Sequence, residues 1–288
     1  VARVIVNRVW QNHFGQGLVA SANDFGVMGD PPSHPELLDW LARELVQTGW
    51  RLKPLHRRIV LSQAYQRAST FDPEAAKADP TNALLWRFSP RRLEAEGVRD
   101  TILATTGRLN LEMKGPSFYP TLPREVLEGQ SRPGEGWGKS DVREQSRRSV
   151  YIFNKRSLAV PELELLDTPD TTSSCERRIA STTGPQALTF LNGAFIHGQA
   201  ASFAARLVRD AGASETAQVE RAYRLALSRG PRPQELQAAR EFLKNQERQI
   251  AADEAKVGRA ASKDTLHEKA LQSLCLVILN MNEFVYIQ

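Results

Sequence analysis

The stretch from Arg108 to Arg148 constrains this chain most: about forty residues with many Gly, Pro and Ser and no sustained period, set between two blocks of clear helical periodicity. A segment this long without regular structure is either functional or an ordered cover lying over a domain. The blocks around it must therefore supply the core. The N-terminal block, 1–107, places Val4, Ile5, Val9 and Phe14 on a helix over 3–14 that Gly15 stops. Leu37, Leu38, Leu41 and Leu45 form a second helix ended by Thr48-Gly49. Ser33 and Glu36 have the spacing of a capping box, with Pro35 in the first turn. A third helix is predicted over 54–68 and a fourth over 93–106, stopped at Gly107.

The middle part, 108–184, is predicted to be loop-rich with short strands, the best being Ser149 to Phe153, followed by an extended stretch around Pro161 to Pro169. The C-terminal part, 185–288, is helical again. Pro185 opens a long helix to about Asp210, then come helices over 215–227 and 233–252, a charged alanine-rich connection at 253–263, and a last helix from Thr265 to Met281. The fold class expected is mainly α, one helical domain overall, with long ordered loops and a small β element.

Composition narrows the function classes. At 41% hydrophobic and 25% charged residues the chain has enough apolar mass for a core. No apolar run approaches the ~18 residues of a membrane-spanning helix. Two cysteines, Cys175 and Cys275, are too few for a disulfide framework; they are either bridged or separate buried thiols. Net charge is +5, with 29 Arg among 38 basic residues and four Arg-Arg pairs, at 57–58, 91–92, 147–148 and 177–178. Arg matches carboxylate, phosphate or sulfate at two points, so an anionic partner is one reading; internal Arg–carboxylate pairing is the other.

Signatures of common chemistries fail on inspection. Gly134–Ser140 ends like a phosphate-binding loop but is one residue short and lacks the strand before it and the helix after it. Asp24-Phe25-Gly26 stands without the rest of a kinase, and HExxH, GxSxG and CxxCH do not occur. His13, Asp24 and His34 bracket the N-terminal loop as a candidate metal site or as loop-ordering groups. Arg92, Glu96, Arg99 and Asp100 would share a helical face, as a ligand site or an ion-pair lattice. Arg91, Trp137, Arg147 and Arg148 complete the candidate ligand-binding set, since aromatic-plus-Arg surfaces anchor partners and sugars. A catalytic role would need a carboxylate pair, drawn from Asp24, Glu94, Glu96, Asp100 and Asp170, acting on polysaccharide. Tyr151–Arg156 mixes aromatic and basic residues, but no nucleic-acid module surrounds it, and nucleic-acid binding is the weakest reading.

The runs NRVWQNHFGQGLV (7–19), NDFGVMGDPPSHPELLDWLA (23–42), WRFSPRRLEAEGVRD (86–100), RRSVYIFNKRSL (147–158), LDTPDTTSSCERRIASTTGPQALTFLN (166–192) and LCLVILNMNEFVYIQ (274–288) resemble the PSD1 family, also catalogued as DUF1553. The family is functionally uncharacterised. The resemblance implies the C-terminal part of large exported proteins abundant in Planctomycetes, behind a cytochrome c-like domain and a DUF1549 domain. It implies an extracytoplasmic setting, partner domains on the same polypeptide, and haem on the upstream domain with no cofactor in this segment. The expectation is a binding or scaffold domain in a haem-associated assembly, with anionic polysaccharide as a candidate partner. Gly97 departs from the helix-favouring residue that family members carry.

Overall fold

A computed structural model describes residues 1–287. The fold is mainly α, as the apolar periods predict, with fourteen helices and one two-stranded sheet among the described residues. The chain divides into two compact units.

The first unit comprises residues 1–92, 175–177 and the end of the chain from Tyr286. It holds α1 (Ala2–Phe14), α2 (Pro35–Gln47), α3 (Leu52–Val60), the short α4 (Pro73–Ala78), and strands β1 (Arg91–Arg92) and β2 (Tyr286–Ile287). The strands are antiparallel, with Arg91 opposite Ile287 and Arg92 opposite Tyr286. Helices α1, α2 and α3 pack on one another. Their shared core is Val6, Val9, Trp10, Leu38, Leu41, Leu45, Leu55 and Ile59, closed by Leu18 and Val19 from the loop after α1. That loop is pinned by wholly buried Asn7, whose amide donates to the Val19 carbonyl at 3.0 Å and accepts from the Val19 N–H at 2.8 Å. One side chain thus satisfies a buried backbone residue that no secondary structure serves.

Three details differ from the sequence reading. Ser33 does not cap α2: His34 is the N-cap and makes no side-chain cap bond, because the Ser33 hydroxyl donates to the Leu18 carbonyl at 3.2 Å. The third helix stops at Val60 rather than 68, and Ser62 turns its hydroxyl back onto the Ile59 carbonyl at 2.7 Å. A side chain competing for helix carbonyls in this way favours termination. The small α4, capped by Asp72, lies where no helix is expected.

The second unit comprises residues 93–174 and 178–285. It opens with α5 (Ala95–Thr106), then α6 (Arg124–Glu128), α7 (Val142–Gln145), a 3-10 turn (Ser149–Tyr151) and α8 (Pro161–Glu164). It continues with α9 (Gly184–Asn192), α10 (Ala194–Ala211), α11 (Glu215–Leu227), α12 (Pro233–Lys256), α13 (Lys263–Leu279) and α14 (Asn282–Val285). Helices α10 to α13 pack mutually, and Phe203, Leu207, Leu243, Leu271, Ile278 and Leu279 are almost fully enclosed.

The strand expected at 149–153 is instead the 3-10 turn followed by a single parallel bridge from Ile152 to Phe118. Here Asp100 takes the Ser149 N–H and hydroxyl, both at 2.7 Å, and a side-chain clamp replaces a ladder. The extended stretch expected at 161–169 begins as α8, with Pro161 in its first turn. The long helix expected from Pro185 breaks at Gly193, which ends α9 and caps α10 in extended backbone. The connection expected at 253–263 starts later, since α12 runs to Lys256. Both cysteines are free thiols, Cys175 exposed and Cys275 wholly buried in α13, where burial pushes its pKa up; the bridged alternative is not formed.

Candidate functional site

The second unit contains a cavity of about 620 Å³ built around one face of α5. Ala95, Val98 and Ile102, spaced three and four apart on α5, form its floor with the neighbouring Leu103, each at most 3% exposed. Leu163 and Leu166 from the α8 region and Ile196 from α10 close the sides, while Val142 and Thr121 form an exposed rim. The Gly193 break turns Phe190 and Phe195, on either side of it, onto the same space. Concave, mostly apolar surface with a few placed polar groups is the usual form of a ligand site.

Arg99 is the central charged group of this wall. Its guanidinium donates to the main-chain carbonyls of Gln145 and Arg147 and to the Ser149 hydroxyl, and lies 5.3 Å and 5.7 Å from the Phe118 and Phe195 ring centres. Burial draws its pKa below the ordinary guanidinium value, and the charges of Asp100 and Glu162 oppose that shift. Gln145 and Gln186 spend their amides on the protein itself, on Thr121 and Ser140 and on Leu165, Asp167 and Ser181 respectively. Gln199 accepts the Thr106 hydroxyl at 2.8 Å. Glu162 is the one carboxylate in the lining, and it makes no hydrogen bond or ion pair among the described residues.

The sequence-derived candidates fall in both units. Arg91 and Arg92 form β1 in the first unit, so Arg92 is not on the helix that carries Glu96, Arg99 and Asp100. Glu96 is held by Arg178 at 2.5 Å and 3.1 Å; burial raises its pKa, but the Arg178 hydrogen bonds and charge outweigh this and the net shift is downward. Asp100 clamps Ser149 and faces Arg148 at 3.6 Å. Arg147 is 2% exposed: it donates to the carbonyls of Lys114 and Pro116 and to Glu144, over the Tyr151 ring, and so serves as the internal brace of the 108–148 segment. Trp137 packs edge-on against Tyr119 and Phe153 and donates to the Pro120 carbonyl at 3.2 Å.

In the first unit, His13, Asp24 and His34 are not drawn together. Asp24 accepts the Gly26 N–H at 2.8 Å, His34 meets the Ser33 hydroxyl at 3.0 Å, and His13 meets His56 at 2.8 Å. Among the described residues no group of three or more His, Cys, Asp or Glu is placed to hold a metal ion. His56 has no signal in the sequence that ties it to His13. The cavity lining was equally unreadable, because its apolar members follow the same period as ordinary core.

No curated protein and no solved structure matches this chain. A family model does, over residues 1–243, stopping short of the 274–288 run in which the sequence likeness also appears. The chain belongs to that family, PSD1, described as a protein of unknown function (DUF1553).

Proposed function

We propose that this is a binding domain whose ligand site is the α5 cavity of the second unit. The observation that carries this reading is an apolar chamber of about 620 Å³ with a single carboxylate in its wall. A sugar-cleaving enzyme needs two carboxyl groups facing one another across the substrate. Of the carboxylates available by sequence, Glu96 is committed to Arg178 and Asp100 to Ser149 and Arg148, which leaves the catalytic alternative little support. Capture of anionic polysaccharide by the Arg pairs has less support than the cavity, since Arg147 and Arg178 are already spent on internal acceptors. Family resemblance supports the wider setting: an extracytoplasmic, haem-associated protein in which DUF1549 and cytochrome c-like domains are neighbours on the same polypeptide.

The test is to fill the chamber. Val98→Phe adds volume at a floor position 1% exposed. In a closed core such overpacking costs about 1–3 kcal/mol. The expected result is an unchanged melting temperature together with loss of the fluorescence that anilinonaphthalene sulfonate gains with the unsubstituted protein. A destabilised variant, with no dye bound by either form, would overturn the reading.

A further inference from the structure

The two ends of the α5 cavity differ chemically, and we infer that its ligand is a linear apolar carboxylate of medium chain length. The inference rests on the reading of the cavity as a binding site. At one end Arg108, just past the helix, lines the space with an exposed guanidinium that has no hydrogen bond or ion pair among the described residues. Gln199 is fixed beside this end because its side-chain oxygen accepts from Thr106, in the last turn of α5, leaving its amide N–H groups unused. The carbonyls of that last turn do not compete for Arg108, since Arg206 takes those of Ala104 and Thr105 at 2.9 Å and 2.7 Å. A guanidinium and an amide with spare donors on one side of an apolar chamber match a carboxylate, which guanidinium binds at two points.

From there the α5 stripe of Leu103, Ile102 and Val98 runs back toward Arg99. Thr106 and Arg99 are seven residues apart, or ~10 Å along a helix. Glu162, on α8, which packs against α5, lines the cavity within electrostatic reach of Arg99, and so away from the Arg108 end. An alkyl tail pushed over that carboxylate would strip it of water with no hydrogen bond formed in return, and such burial is costly. Head and stop together set both the charge and the length of the ligand: an anion at the Arg108 end, and a tail that ends before Glu162.

Calorimetric titration of the full chain with octanoate, octanol and palmitate tests this. Octanoate is expected to bind at least tenfold more tightly than octanol, Arg108→Gln to erase that difference, and Glu162→Leu to raise palmitate affinity while leaving octanoate unchanged. Both substitutions fall at partly or fully exposed positions, and circular dichroism melts verify the fold. Octanol binding as tightly as octanoate, or palmitate tightest in the unsubstituted protein, would overturn the ligand class while the cavity reading stands. No binding by any of the three, with no dye fluorescence, would overturn both.

Discussion

His13 Nε2 lies 2.8 Å from His56 Nδ1, with the edge of the His13 ring against Tyr65 and Arg91 as the neighbouring cation. One imidazole must donate and the other accept, so the pair holds its bond only while at least one ring is neutral. Burial lowers the pKa of His13, and the charges of His56 and Arg91 lower it further. The unfolded chain therefore binds a proton there more readily than the folded one. The stabilisation is present above the unfolded value near 6.5 and is lost as pH falls below it. Melting temperature is expected to drop between pH 7.5 and 5.5, and the drop to be shallower in His13→Gln. Equal slopes for the two proteins would rule the pair out as its source.

Arg229 joins two distant parts of the second unit. Its guanidinium meets Glu235, at the start of α12, at 2.7 Å and 2.8 Å, and Glu283 in α14 at 2.7 Å through two nitrogens. These bonds hold the Glu235 carboxyl down at about 2, mainly through Arg229. A depressed carboxylate stabilises the fold above its unfolded pKa and loses that stabilisation as pH falls toward the folded one. Arg229→Gln should cost about 2 kcal/mol at pH 7, the scale of charge-assisted hydrogen bonds. Urea denaturation at pH 7 and pH 3 should show that cost shrinking in acid; a constant cost would mean the ion pairs are not its origin.

Arg147 braces the 108–148 segment from inside. Removing its guanidinium leaves the Lys114 and Pro116 carbonyls and part of Glu144 without their donor. Arg147→Leu is expected to destabilise the protein by about 3 kcal/mol, and Arg147→Lys to recover little, because an ammonium cannot span three acceptors set in a planar fork. Limited proteolysis should cut first between 108 and 148 in both variants. Cleavage elsewhere, with this segment still protected, would refute the bracing role.

Gly97 offers a gain instead. It sits in the first turn of α5, and a Cβ built there would meet only Leu93 Cβ at 3.9 Å. Gly97→Ala should therefore stabilise by up to about 1 kcal/mol, seen as a melting temperature a few degrees higher. A lower one would show that the turn needs the bare backbone.

Helices with an apolar stripe of four or more large residues were legible from sequence, as in α2 and α13, because burial of that stripe is what forms them. Ser149–Phe153 was not, since its β-branched and aromatic residues fit a strand until Asp100, forty-nine positions away, claims the Ser149 backbone. Glu96, Arg99 and Asp100 were found by their density of charge. Their roles were not, because whether an Arg meets a ligand or a carbonyl depends on which chain segment folds over it. Glu162, Gln199 and Arg108 carry no sequence mark at all; each matters only through what the fold leaves unbonded beside it.

The first unit takes β1 from residues 91–92 and β2 from the chain's last described residues, while everything between Leu93 and Val285, save 175–177, belongs to the second. Leu93 N–H donates to the Val285 carbonyl at 2.9 Å, so the first and last residues of the second unit lie beside one another. In chain order it is an insertion with adjoining ends, of the kind a single genetic event can add or enlarge, but exchanging it whole would also take residues 175–177 from the first unit.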